Sequence, residues 1–66
     1  MVDLCETTIV VYHKNKEKKR IENVAKLRID NNTITYSTIL GEKARIAGVR
    51  VEEIDFIGHK VLVKTA

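Results

Sequence analysis

Residues 7–12 read Thr-Thr-Ile-Val-Val-Tyr, and this stretch decides the fold class. β-branched and aromatic side chains favour extended backbone, and six residues are too few for a helix. The stretch therefore predicts the first strand of a β-sheet.

The residues that follow keep the strand pattern. Residues 26–29 alternate bases with apolar side chains, a period of two that is typical of a half-buried strand. Asp, Asn and Asn at 30–32 favour a tight turn. Residues 33–39 then predict a hairpin partner that carries Ile34 and Tyr36 on one side.

The last third of the chain contains short apolar runs separated by glycines. Residues 43–47 and 61–63 predict two more strands, with a turn at Gly41 and another at Gly48. Residues 52–56 are compatible with either a strand or one helical turn. Short strands separated by turn signals predict an all-β fold, a small antiparallel β-barrel of about six short strands. A barrel is favoured because closure removes exposed strand edges.

Because the chain is short, we expect it to associate with a partner subunit. At 66 residues we expect a single domain, residues 1–66. A domain of this size buries only about 60% of the surface of its unfolded chain. Disulfides, a metal or oligomerisation usually support so thin a core, and the one cysteine cannot close a disulfide within the chain. We therefore expect a homodimer, a shared metal, or both.

The first six residues and the distribution of charge predict where in the cell the protein is found and which segment could bind an acidic partner. Residues 1–6 carry acids where a secretory signal would carry bases, and no apolar run reaches the length of a membrane span. We expect a cytoplasmic protein with no membrane segment. The net charge is +3, and residues 13–20 hold five bases and one acid. The basic character is therefore assigned to this one segment.

The sequence gives no sign of catalysis. It has no glycine-rich phosphate loop, no Ser-His-Asp candidate and no cysteine pair at metal spacing. We expect that the protein is not an enzyme.

The basic segment offers one binding hypothesis, an RNA-binding module that uses a hairpin loop. Phosphate contacts by its cations would make binding strongly dependent on salt. Single-stranded nucleic acid is usually held by aromatic stacking too, and Tyr36 and Phe56 are expected in the core. A solvated hairpin tip is the simpler interpretation. The five bases are Lys14, Lys16, Lys18, Lys19 and Arg20.

Cys5 offers the other hypothesis. A lone cysteine beside a strand is commonly a small apolar residue, but its thiolate is also a metal ligand. A two-fold axis would double the single thiolate, and two sulfurs with two nitrogens suit divalent nickel or copper. His13 and His59 are possible further ligands, although their spacing from Cys5 does not bring them close.

Three short motifs occur in the order found in a known family. They are Leu-Cys-Glu at 4–6, Leu-Gly-Glu-Lys at 40–43 and Ile-Asp-Phe-Ile-Gly-His-Lys at 54–60. In this order the chain resembles the small CooT-type nickel-binding proteins over nearly its full length. Some sequences of this type are also labelled predicted RNA-binding proteins.

The resemblance implies a homodimer that binds one nickel ion at the subunit interface through Cys5. It also implies nickel delivery to an enzyme such as carbon monoxide dehydrogenase. In the family pattern the cysteine follows the initiator methionine, so a free amine and a thiolate can chelate together. Here residues 1–4 precede Cys5, and its nitrogen is an amide. A start at Leu4 would restore the family pattern.

Overall fold

The structure is a computed structural model that describes residues 7–65. This range forms one six-stranded sheet and contains no helix, which confirms the all-β prediction. No helix in the described range is therefore long and apolar enough to cross a membrane. The strands are β1 (Thr7–His13), β2 (Lys16–Asp30), β3 (Thr33–Thr38), β4 (Lys43–Ala47), β5 (Val49–Asp55) and β6 (Lys60–Thr65).

The sheet differs from the predicted antiparallel barrel in two respects. Its order is β4-β3-β2-β1-β6-β5, so β4 and β5 are edges and hydrogen bonds do not close the sheet. In addition, β1 and β6 are parallel, whereas the other neighbours are antiparallel. The parallel pairing follows from Gly48, because this single residue links β4 to β5 without reversing the chain.

Gly48 also curls the sheet. Its φ of 72° is accessible to glycine at little cost, and the turn brings the two edge strands together at this point. The amide of Val49 donates to the carbonyl of Asn32, across 2.9 Å. The sheet is thus drawn together at the Gly48 end and remains an open, curled layer elsewhere.

The long strand β2 serves both halves of the sheet. Its first part pairs with β1 and its second part with β3, and Val24 pairs with both Thr7 and Thr38. Asn23 has a φ of 62° and its carbonyl accepts a hydrogen bond from Ile39, so β2 bends there. Asparagine tolerates this left-handed conformation better than most residues.

The concave face of the sheet holds the core. Tyr36 lies there as predicted, at 9% exposure. The prediction for Phe56 is wrong, because Phe56 follows the end of β5 and is 81% exposed. The buried cluster consists of Ile9, Val11, Ile21, Val24, Ile34, Tyr36, Val49, Val61 and Val63.

The turn between β5 and β6 is held by a carboxylate. Oδ1 of Asp55 accepts from the amides of Ile57, at 3.0 Å, and Gly58, at 2.9 Å. A Cβ atom at Gly58 would lie 2.7 Å from Oδ2 of Asp55. This turn fixes the backbone that leads into His59 and β6.

We expect Ile9→Ala to lower the free energy of unfolding by about 2–5 kcal/mol, because Ile9 is fully buried and the change leaves a cavity. Ile57→Ala removes the same atoms from a side chain that is 92% exposed, and should cost less than about 0.5 kcal/mol. Urea denaturation measures both. Similar losses at the two sites would contradict the described core. If Ile9→Ala does not fold, Ile9→Val replaces it in the comparison and should lower the free energy of unfolding by about 0.5–1.5 kcal/mol.

Gly58→Ala and Asp55→Ala should each destabilise the fold by about 1–2 kcal/mol, because either change disrupts two hydrogen bonds to a charged acceptor. Asp30→Ala is the matched control, since Asp30 is exposed and no hydrogen bond of its side chain is found within residues 7–65. Thermal unfolding gives the stability, and amide NMR shifts at Gly58 and His59 report the turn. Unchanged shifts in Asp55→Ala would rule out the described turn.

Candidate functional site

Cys5, the predicted metal ligand, lies outside the described residues. It stands two positions before Thr7, the first residue of β1. Two peptide units span at most about 7 Å. The segment that contains Cys5 therefore joins the sheet at this end of β1.

His59 lies at the same end of the sheet. The amide of Thr8 donates to the carbonyl of His59 across 2.9 Å, and Thr8 pairs with Lys60. His59 is exposed, with a left-handed φ of 56°. Sequence spacing did not predict that His59 lies beside the start of β1, because this placement depends on the long-range parallel pairing of β1 with β6.

An open groove adjoins this end of β1. It has a volume of about 410 Å³, and Thr7, His59 and Lys26 contribute to its wall. Much of the remaining lining is apolar, with Ile54 at 44% exposure and Phe56 at 81%. The groove is therefore a solvent-accessible space next to the point where residues 1–6 join the sheet.

His13 lies at the opposite end of β1. Its Nδ1 is 2.6 Å from Oγ1 of Thr65, a hydrogen bond that joins β1 to the end of β6. Six residue steps along β1 separate His13 from Thr7 by about 20 Å. His13 is therefore far from the end of β1 at which the segment containing Cys5 joins the sheet.

Residues 7–65 contain no group of three or more His, Cys, Asp and Glu side chains arranged to hold a metal. A centre with three or more protein ligands would therefore need residues outside this range, such as Cys5, or a second copy of the chain.

The basic segment is not the loop that the sequence predicted. Lys14 and Asn15 have φ values of 53° and 67°, which form a two-residue hairpin turn, and β2 begins at Lys16. The charged residues extend the strand because they pair with β1, Lys19 opposite Val11.

The five bases of this segment do not form one surface. Lys19 pairs with Val11 on the core side, whereas Arg20 pairs with Val10 on the other side. Arg20 is bonded to Glu17, with Nε 3.0 Å from Oε2. This hydrogen bond lowers the pKa of Glu17 and raises that of Arg20. The predicted RNA site of Lys14, Lys16, Lys18, Lys19 and Arg20 is therefore split between two faces.

Sequence reasoning missed a second group of bases, which lies on the convex side of β2, β3 and β4. Two rows run across these strands, each with a hydroxyl residue between two bases. We call this surface the basic face. The first row is Lys26, Ser37 and Lys43, and the second is Arg28, Thr35 and Arg45.

The basic face borders a shallow depression of about 640 Å³ that has no acidic residue in its wall. Its four bases are exposed, and the ion pair found within residues 7–65 is that of Glu17 with Arg20. The signal was present in the sequence as bases two apart, at 26 and 28 and at 43 and 45. Only the sheet order makes the two pairs neighbours.

Comparison with known proteins identifies the family. No curated protein matches the sequence. A sequence model of the family described as CO dehydrogenase accessory protein CooT matches residues 4–64, a range that includes Cys5 and His59. The match covers nearly the whole chain and agrees with the resemblance carried by the three motifs. The chain therefore belongs to the CooT family of CO dehydrogenase accessory proteins.

Proposed function

We propose that this protein is a cytoplasmic, non-catalytic accessory protein that binds nickel and delivers it to an enzyme such as CO dehydrogenase. The observation that carries the proposal is the family match over residues 4–64. A protein that assists a nickel enzyme without being that enzyme has an evident task in supplying the metal.

Cys5 is the proposed ligand, and a homodimer is the proposed form. One thiolate per chain is a weak site for a divalent metal, whereas a two-fold axis would supply a second thiolate. Two thiolates and two nitrogens form the kind of donor set that suits divalent nickel. The thin core of a short chain is a further reason to expect a subunit interface.

The nitrogen donors have two proposed sources. One is the main-chain nitrogen of Cys5, which becomes a good ligand only where it is a free amine. The other is His59, whose carbonyl accepts the amide of Thr8, three residues after Cys5. The length of β1, about 20 Å, argues against His13 of the same chain.

Nickel titration of the parent protein should produce a thiolate charge-transfer absorption that saturates at about one metal per two chains. Cys5→Ala should abolish this absorption because it removes the sulfur. His13→Ala should retain it and is the control, and sedimentation analysis reports whether the protein is a dimer. If Cys5→Ala binds nickel as tightly as the parent, the proposed site is wrong.

A variant that lacks residues 1–3 and carries Leu4→Met should bind nickel more tightly once the methionine is removed, because Cys5 then has a free amine. Competition with a chelator measures the affinity, and intact mass confirms the processed terminus. His59→Ala, made in both forms, tests the alternative nitrogen. Equal affinity of the long and short forms would show that the amine is not a ligand. The intact mass of the native protein tests the start at Leu4.

A further inference from the structure

The basic face is a concentration of charge that the fold does not require. Neighbouring strands are about 4.8 Å apart and alternate residues along a strand about 6.7 Å apart. Its four bases thus occupy a rectangle of roughly 10 by 7 Å. Like charges at this spacing repel each other, and the described carboxylates do not compensate them. A ligand of opposite charge would remove this repulsion.

The basic face ends at an open sheet edge. Strand β4 is exposed apart from Ile46, which is half-buried. The amide of Thr38 donates to the carbonyl of Glu42 at the start of the β3–β4 hairpin. Bonded pairs alternate along an antiparallel ladder, so the main-chain groups of Lys43 and Arg45 point away from β3, toward the open edge.

We propose that the edge of β4 binds an extended, acidic segment of a partner protein as an additional strand. Main-chain hydrogen bonds would form with Lys43 and Arg45, as in other strand-addition complexes. Glutamate or aspartate at alternate positions of the incoming strand would face the side chains of these two residues. The spacing of alternate residues is the same in both strands, so two carboxylates meet two cations in register.

Protection of the edge is the simpler explanation of part of this pattern. Exposed edge strands often carry charged residues that prevent unwanted pairing, and Lys43 and Arg45 serve that purpose against most strands. Protection does not account for Lys26 and Arg28, which lie two strands inward. These two bases extend the positive field beyond the edge and favour an acidic partner over a neutral one.

Other occupants fit less well. Pairing of β4 with β4 of a second copy would bring the cations of one chain against those of the other, which is unfavourable. Single-stranded nucleic acid normally uses aromatic stacking, whereas Tyr36 points into the core. A protein partner rests on the proposed accessory function, which requires a client enzyme.

The test uses an isotopically labelled parent protein and a blocked peptide of alternating threonine and glutamate, followed by NMR at low salt. The amide signals of residues 43–45 should shift, and hydrogen exchange at Lys43 and Arg45 should slow because their amides become bonded. The same peptide with glutamine in place of glutamate should bind at least about tenfold more weakly. Shifts without slowed exchange would overturn the strand-addition proposal.

Two double variants separate a local effect from an effect of net charge. K43E/R45E should weaken peptide binding at least about tenfold, whereas K16E/K18E makes the same change in charge and should weaken it by less than about threefold. K26E/R28E leaves β4 intact and should give an intermediate loss. Equal losses in K43E/R45E and K16E/K18E would contradict the proposal.

Two further experiments test whether nucleic acid or a second copy of the chain binds to the edge of β4 instead. An oligouridylate of equal charge that binds the same residues more tightly than the peptide would assign the face to nucleic acid and overturn the proposal. If the NMR signals of both β4 and β5 broaden with protein concentration in the absence of peptide, the acidic strand β5 of another copy occupies the edge. This result would also overturn the proposal. K43E/R45E should retain the nickel absorption of the parent. Failure of peptide binding and failure of nickel binding are therefore read separately.

Discussion

The fold depends on a constraint at one residue, Gly48. It forms the whole connection between β4 and β5, which are the two edges of the sheet. Two strands that are only one residue apart cannot lie at opposite ends of a flat six-stranded sheet, so the sheet has to curl until its edges meet there. A Cβ at Gly48 would find open space. The requirement is therefore the positive φ of 72° and not the absence of a side chain.

The same constraint determines which residues lie beside Thr7, where residues 1–6 join the sheet. Because the chain does not reverse at Gly48, β6 runs parallel to β1, and the β5–β6 turn lies beside Thr7 and Thr8. An antiparallel β6 would instead bring its far end to this position. The parallel pairing thus places His59 at the end of β1 that follows Cys5 in sequence, opposite to the end occupied by His13. Asp55 then holds the turn through two amides.

The sequence predicted the local features well and the long-range ones poorly. Alternation at Ile34 and Tyr36 and the glycine at Gly41 indicated a strand and a turn, because each depends on nearby residues alone. The parallel pairing of β1 and β6 depends on contacts about 50 residues apart, and no local pattern contains it. Residues 16–20 were predicted as a loop because they are charged. They form part of β2 instead, because the left-handed turn at Lys14 and Asn15 reverses the chain early and lets these residues pair with β1. The basic face was missed for a related reason, since its two pairs of bases become neighbours only through β3. Whether Cys5 binds nickel stays a prediction from its position in the family pattern.

The sheet order also relates the two surfaces to each other. Val24 pairs with Thr7 on one side and with Thr38 on the other, so the end of β1 and the start of the β3–β4 hairpin lie on one row of the sheet. Lys26 is two residues beyond Val24, which limits its Cα to about 12 Å from that of Thr7. Lys26 contributes both to the groove beside His59 and to the basic face. A partner strand added beside β4 would be separated from β1 by β4, β3 and β2, which is about four strand spacings, or roughly 19 Å across the sheet. Transfer of a metal between two proteins requires that the donor and acceptor ligands come within bonding distance, so a partner docked along β4 would have to extend across β3 and β2 to reach a ligand beside Thr7.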